Sequence, residues 1–316
     1  MKPPSGPWPT RSRPFERNTV SPRIILQFAA VTLIWGTTWI VIKFQLGTVN
    51  PSWSVCYRFL TGGLALLGWC AIRGLPLTVP RTALPFLFIF GLFQFVMNFN
   101  FVYRSELYIP SGIPAVAFAL LMVPNAILAR LFLGRRISEH FALGSALGIL
   151  GVGLLFAQQL SLPGDRADTL LGLSLVVAGI LSASIANVMQ ASPRALTFPA
   201  LAGLGWAMLM GAGVNAVLAL AISGPPQFDP APGYWLGFLY LGIFASAIAF
   251  ALYFDLVRQM GPAEAAWTSV LIPILAMAIS TLLEGFRWTP MAAAGAVLAL
   301  AGMVVALRQP ARPARA

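Results

Sequence analysis

Long apolar runs follow one another along the chain, separated by short stretches that carry charge, proline or glycine. They fall near residues 24–44, 52–72, 83–104, 111–133, 140–158, 168–190, 198–222, 233–257, 262–283 and 289–307. A hydrocarbon core about 30 Å thick is crossed by about 20 helical residues rising about 1.5 Å each, so each run predicts one crossing. Strands of a membrane barrel would show alternating segments of about ten residues, whereas these runs are continuous and longer. The pattern predicts an all-α membrane protein with ten transmembrane helices.

Composition strengthens this reading and charge orients it. Only 9% of the 316 residues are charged and 58% are hydrophobic, against about a quarter charged in soluble domains. The net charge of +11 raises nucleic acid as a partner, but such binding needs basic residues gathered on one face. Here they lie in short connections, so lipid and a small-molecule substrate are the expected partners, nucleic acid is not, and the chain is expected to be a monomer. With the N-terminus inside, fifteen of the twenty Lys and Arg fall on the side of the termini. Arg104, Arg166 and Arg287 fall opposite, and Lys43 and Arg58 lie within spans, where their stems are expected to snorkel to the headgroups. This bias places both termini in the cytoplasm. Residues 1–23, rich in Pro, Ser and Arg, predict a disordered cytoplasmic tail, and 308–316 a second one. The first run lacks an A-x-A cleavage site and reads as an uncleaved anchor. Cys56 and Cys70 have no metal-ligand spacing and read as lipid or packing contacts.

A weak internal repeat divides the chain. A constant offset of 149 carries 98–124 onto 247–273, matching Phe101 to Phe250, Gly112 to Gly261, Ala117 to Ala266 and Pro124 to Pro273. An offset of 151 pairs Gly144 with Gly295 and Gly151 with Gly302. Five spans per half is odd, so the halves 24–158 and 159–307 would cross in opposite senses as two inverted five-helix repeats. In such transporters the substrate site lies near the midplane between the halves. Shared composition of membrane helices is the competing explanation.

The polar residues inside the runs are few. Pro124 and Pro273 fall near mid-span, where each ring frees a backbone carbonyl and either kinks the helix or opens an acceptor to a cavity. Gln94 and Asn98, four apart, share a helix face; Asn100 points nearly opposite. They read as a selectivity stripe or as interhelical glue. Trp39, Tyr103, Asn187, Trp267 and Ser269 complete the candidate substrate-binding set, with interface anchoring the alternative for Trp267. Asp255 and Glu284 stand near span ends, and no carboxylate stands clearly at the midplane as a proton relay would require. A single histidine, His140, and the absence of acidic clusters and Gly-rich phosphate loops argue against an enzyme, a metal or a cofactor.

The segments WGTTWIVIK (Trp35 to Lys43) and SVCYRFLTGGLALL (Ser54 to Leu67), the Pro124 and Pro273 regions, and the glycine-spaced fifth and tenth spans resemble the drug/metabolite transporter superfamily, EamA type. The resemblance covers nearly the whole chain and is closest to bacterial exporters of amino acids and related metabolites. It implies ten helices in two inverted halves, a bacterial inner membrane, and a central cavity lined mainly by helices 1, 3, 4, 6, 8 and 9. The family's glutamate after the ninth helix is met by Glu284, whereas Arg135 stands at the matching place after the fourth. RSELYIPSG after Tyr103 departs from the commoner small-residue run. The expectation is an alternating-access exporter of amino acids or similar metabolites. A multidrug, nucleoside or other metabolite carrier, or a scaffold that transports nothing, are the alternatives.

Overall fold

The structure, a computed structural model, describes residues 21–134, 137–260 and 265–307, apart from the side chains of 257 and 258. The tail expected at 308–316, nearly all of that at 1–23, and Arg135 lie outside the described residues. The regular elements described are helical: α1 Pro22–Phe44, α2 Pro51–Ile72, α3 Arg81–Ser105, α4 Gly112–Leu133, α5 Glu139–Ser161, α6 Arg166–Gln190, α7 Ala200–Ser223, α8 Pro232–Leu256, α9 Thr268–Leu283 and α10 Pro290–Leu307. Among the described residues nine are long and apolar enough to cross a membrane, and α9 is a shorter apolar helix.

Local chemistry sets the starts. Ser21 and Asn50 cap α1 and α2, each followed by a proline at the first helical position. Their side-chain oxygens accept from Ile24 N at 3.4 Å and Ser52 N at 3.0 Å. Ser138 and Asp165 cap α5 and α6, accepting from Phe141 N at 3.2 Å and Ala167 N at 2.7 Å. Gly134, at φ 66°, ends α4 in the left-handed conformation.

Helix pairs close through small residues. A Cβ on Gly302 of α10 would stand 2.5 Å from both the carbonyl oxygen of Gly144 and the amide nitrogen of Gly148 on α5. One on Gly295 would stand 2.7 Å from the Gly151 carbonyl. α2 and α7 meet similarly, a Cβ on Gly63 lying 3.0 Å from the Gly205 carbonyl. Cys56 and Cys70 are buried as free thiols and serve packing.

Two helices share an irregularity. α3 turns from α- to π-helix over Leu92–Asn98, and α8 does so over Tyr240–Ile248. The offset of 149 carries 92–98 onto 241–247, so the two loosened turns coincide. Side chains take up the displaced carbonyls. Asn215 Nδ2 donates to Phe95 O at 3.0 Å and Asn100 Nδ2 to Val96 O at 2.8 Å. In α8, Trp35 Nε1 donates to Ala245 O at 3.0 Å and Ser246 Oγ to Leu241 O at 2.8 Å. Asn100 thus points away from Gln94 and Asn98 and works as glue, since it also donates to Asn215 Oδ1 at 2.6 Å and accepts from Ser52 Oγ at 2.7 Å. Replacing Asn215 with leucine strands Asn100 and the Phe95 carbonyl. The expected loss is about 1–3 kcal/mol, measured as a lower midpoint of thermal unfolding in detergent; a variant melting with its parent would show the network dispensable.

α4 contains a second break, a 3-10 turn over Phe118–Leu121. Pro124 follows it as the third residue of the helical segment Met122–Leu133, so it resumes a helix after a break instead of kinking one. Pro273 lies inside α9. Every residue of Gly112–Ala117 is buried, and none of Met122–Leu133 is. The bundle is therefore tight at the end holding residues 106–112 and loose around α4 at the end holding the termini.

Candidate functional site

A cavity of about 260 Å³ sits inside the bundle. α1 contributes Trp35, Thr38 and Trp39; α3 contributes Gln94, Asn98, Phe99 and Val102; α4 contributes Phe118; α6, Asn187; α8, Ala245 and Phe250; α9, Ser269 and Pro273. These are the helices the resemblance implied, and α2 adds Arg58.

The π-helical segment of α3 brings Gln94 and Asn98 to the wall, where the buried Gln94 Oε1 and Asn98 Oδ1 have no hydrogen-bond partner. Buried polar atoms are nearly always paired, so these two acceptors point to an occupant of the cavity. Aromatic rings form the rest. Trp39 meets Phe118 edge-on with centroids 5.3 Å apart, and Trp35 lies 5.4 Å from Phe250 and 5.1 Å from Tyr253.

Arg58 overturns its expected role. Snorkelling would place its guanidinium at the headgroups, yet the residue is 3% exposed and lines the cavity. Its Cζ lies 4.4 Å from the Phe99 ring centroid and 5.3 Å from that of Phe59, so aromatic faces hold the cation where water does not. Nε donates to Ser246 Oγ at 3.4 Å, and the buried Nη1 has no partner. Lys43 does not snorkel either: its Nζ donates to the backbone carbonyls of Glu106 and Ile109.

Of the remaining candidates, Asn187 and Ser269 line the cavity, and Tyr103, Trp267 and Pro124 do not. Tyr103 is fully buried and its hydroxyl donates to Gln45 Oε1 at 3.1 Å. Trp267 stands just before α9 and is 41% exposed. Arg58 was missed because an arginine seven residues into a span reads as a cation seeking the interface; its signal was the phenylalanine beside it at Phe59.

Acidic groups tie both ends of the bundle. At the tight end Glu284 accepts from Ser111 N at 3.1 Å and from Ser111 Oγ. At the end of the termini, Asp255 accepts from Gln27 Nε2 at 2.8 Å and Gln259 Nε2 at 2.8 Å and pairs with Arg23 at 3.6 Å. Among the described residues no cluster of three or more His, Cys, Asp or Glu could hold a metal ion.

Comparison with known proteins agrees with this architecture. The EamA-like transporter family matches the chain twice, over residues 22–157 and 170–308. An uncharacterized inner membrane transporter of Escherichia coli, YedA, is 28% identical over 81% of each chain. A probable amino-acid metabolite efflux pump of Salmonella typhimurium is 27% identical over 87% of this chain and 91% of its own. A protein solved by crystallography shares the fold with a TM-score of 0.65 at 19% identity, covering 90% of this chain and 96% of that one.

Proposed function

This chain belongs to the EamA-like transporter family, and on that premise we propose that it exports amino acids or closely related metabolites by alternating access. The observation that carries the reading is the pairing of a buried cation, Arg58, with two unpartnered amide oxygens, Gln94 Oε1 and Asn98 Oδ1, on one small aromatic-walled cavity. A carboxylate answers the free Nη1 of Arg58, an ammonium answers the amide oxygens, and an apolar side chain meets Trp39 and Phe118. The cavity of about 260 Å³ lies below the roughly 300–1,000 Å³ of pockets for drug-sized ligands, which favours a small metabolite over a multidrug cargo. The Salmonella relative's name supports the same class.

The architecture we propose is ten crossings in two inverted halves, functioning as a monomer. Several features support it: the doubled family match, the coincident π-helical turns, and the crossing of α5 with α10. Gly144 corresponds to Gly295 and Gly151 to Gly302, yet Gly144 meets Gly302 and Gly151 meets Gly295. That exchange of partners is what a two-fold axis between equivalent helices produces. Both termini are assigned to the cytoplasm from the distribution of Lys and Arg. The tight end then faces outward, and the loose end around α4 admits cargo from the cytoplasm.

The test is counterflow in proteoliposomes with amino acids, their carboxamides, a nucleoside and a cationic drug. Amino acids should move, and their carboxamides at least about tenfold more slowly, because the amide leaves the Arg58 charge unanswered. Amino-acid flux equal to that of empty vesicles would sink the reading, and equal flux of drug and amino acid would favour the nonspecific carrier.

A further inference from the structure

Glu106 stands one residue beyond α3, on the face that runs through Gln94, Asn98 and Val102 at four-residue spacing. The residue is 0% exposed, and neither carboxyl oxygen has a hydrogen-bond partner. Lys43, the cation beside it, donates instead to the backbone carbonyls of Glu106 and Ile109. Glu284, the other acid at this end, is engaged by Ser111. A carboxylate sealed from water without a donor is far costlier than the carboxylic acid in the same place, so this group holds a proton in place of a charge.

The surrounding charges do not reverse that balance. Among the described residues, α1 presents Lys43, α2 presents Arg58, the segment beyond α9 presents Glu284, and the neighbouring chain carries Tyr103, Arg104 and Tyr108. Arg104 turns away to Asn100 Oδ1 at 2.5 Å and Ser52 Oγ at 2.9 Å, and α6 approaches Ser105 and Tyr108 through Gly172, which is uncharged. Burial raises the Glu106 acid well above the usual carboxylate range, with Glu284 adding to the rise and Lys43 and Arg58 opposing it.

We infer that Glu106 is a proton-binding site that links the shutting of this end of the bundle to the uptake of one proton from the solvent it faces. The inference rests on the alternating-access reading. While the end is shut the acid is neutral and Lys43 clasps the 106–109 backbone to α1. When the end opens, water reaches the carboxyl, the proton returns to the same solvent, and the new carboxylate draws the ammonium of Lys43 off the two carbonyls. The sign follows from the raised acid. The shut form binds the proton more tightly than the open form, so it is favoured at low pH and loses that advantage as pH rises through the shut-form value. An acidic exterior therefore holds this end closed.

Two measurements on the full chain in nanodiscs decide it. Infrared difference spectra at about pH 7 should show a protonated carboxyl band that disappears in Glu106→Gln. Opening is read by a water-soluble maleimide reacting with Ile109→Cys, a position buried at the shut end, in a chain whose Cys56 and Cys70 are replaced by serine. The ratio of its labelling rate to that in the same chain carrying Glu106→Gln cancels the thiol's own ionisation. This ratio should fall as pH falls, by up to about tenfold per unit, and Glu106→Asp should retain the dependence. A band missing from the parent, a band surviving in Glu106→Gln, or a ratio flat with pH would each overturn the proposal. None of these readouts involves cargo, so failure of amino-acid transport leaves them standing.

Discussion

Arg58→Gln is expected to reduce amino-acid counterflow by about 10- to 150-fold, the equivalent of one charge-assisted hydrogen bond of about 1.5–3 kcal/mol. The fold should not suffer. The guanidinium is 3% exposed, with its Nη1 unpartnered and two phenylalanine faces and one serine as its company. Removing one partner of a tight ion pair would strand a buried opposite charge, whereas here a cation without an engaged carboxylate is removed. The variant should melt at or above the parent's midpoint. Arg58→Lys should fall between the two in transport, because an ammonium keeps the charge and loses the planar fork that grips a carboxylate. Parental flux in Arg58→Gln would remove the residue from the substrate site. A large drop in melting temperature would make its role structural.

Gly302→Val should prevent recovery of folded protein. The added Cβ would lie 2.5 Å from a backbone carbonyl oxygen and from a backbone nitrogen of α5, and neither can swing aside as a side chain would. Over-packing in cores costs about 1–3 kcal/mol when side chains can adjust, and more is expected where two backbones must part. Gly153 on the same helix is the control: a Cβ there meets nothing within 4 Å. Gly153→Ala should be neutral or add up to about 1 kcal/mol through helix propensity. Monodispersity by size-exclusion chromatography separates these outcomes, and a well-behaved Gly302→Val would show that α5 and α10 can separate.

The sequence made the helices legible because lipid demands unbroken apolar runs, and their edges were marked by Ser21, Asn50, Ser138 and Asp165. Gln94 and Asn98 could be placed together because two amides one turn apart in an apolar helix share a face whatever packs against it. Arg58 could not, because its position depends on rings from another helix, and no periodicity reports that Phe99 lies 4.4 Å from its guanidinium. Tyr103 was misplaced by phase. It lies five residues beyond Asn98, about 140° around an α-helix, and faces Gln45 in place of the cavity. The same arithmetic puts Glu106 back near the stripe, so its departure from the family's small-residue run was the visible sign. Trp267 was placed within a span, but α9 begins only at Thr268, which leaves the indole outside the bundle.

The matched π-helical turns of α3 and α8 give each half a spare residue at the same depth. Returning such a turn to α-helix slides everything beyond it by about 1.5 Å and rotates it by about 100°. Asn98 and Phe99 in one half, and Ala247 and Ile248 in the other, would then exchange positions around their helices without any helix unfolding. The cavity wall is thus built on a vernier: a one-notch change of register would turn an amide away from the cargo and bring an aromatic ring into its place.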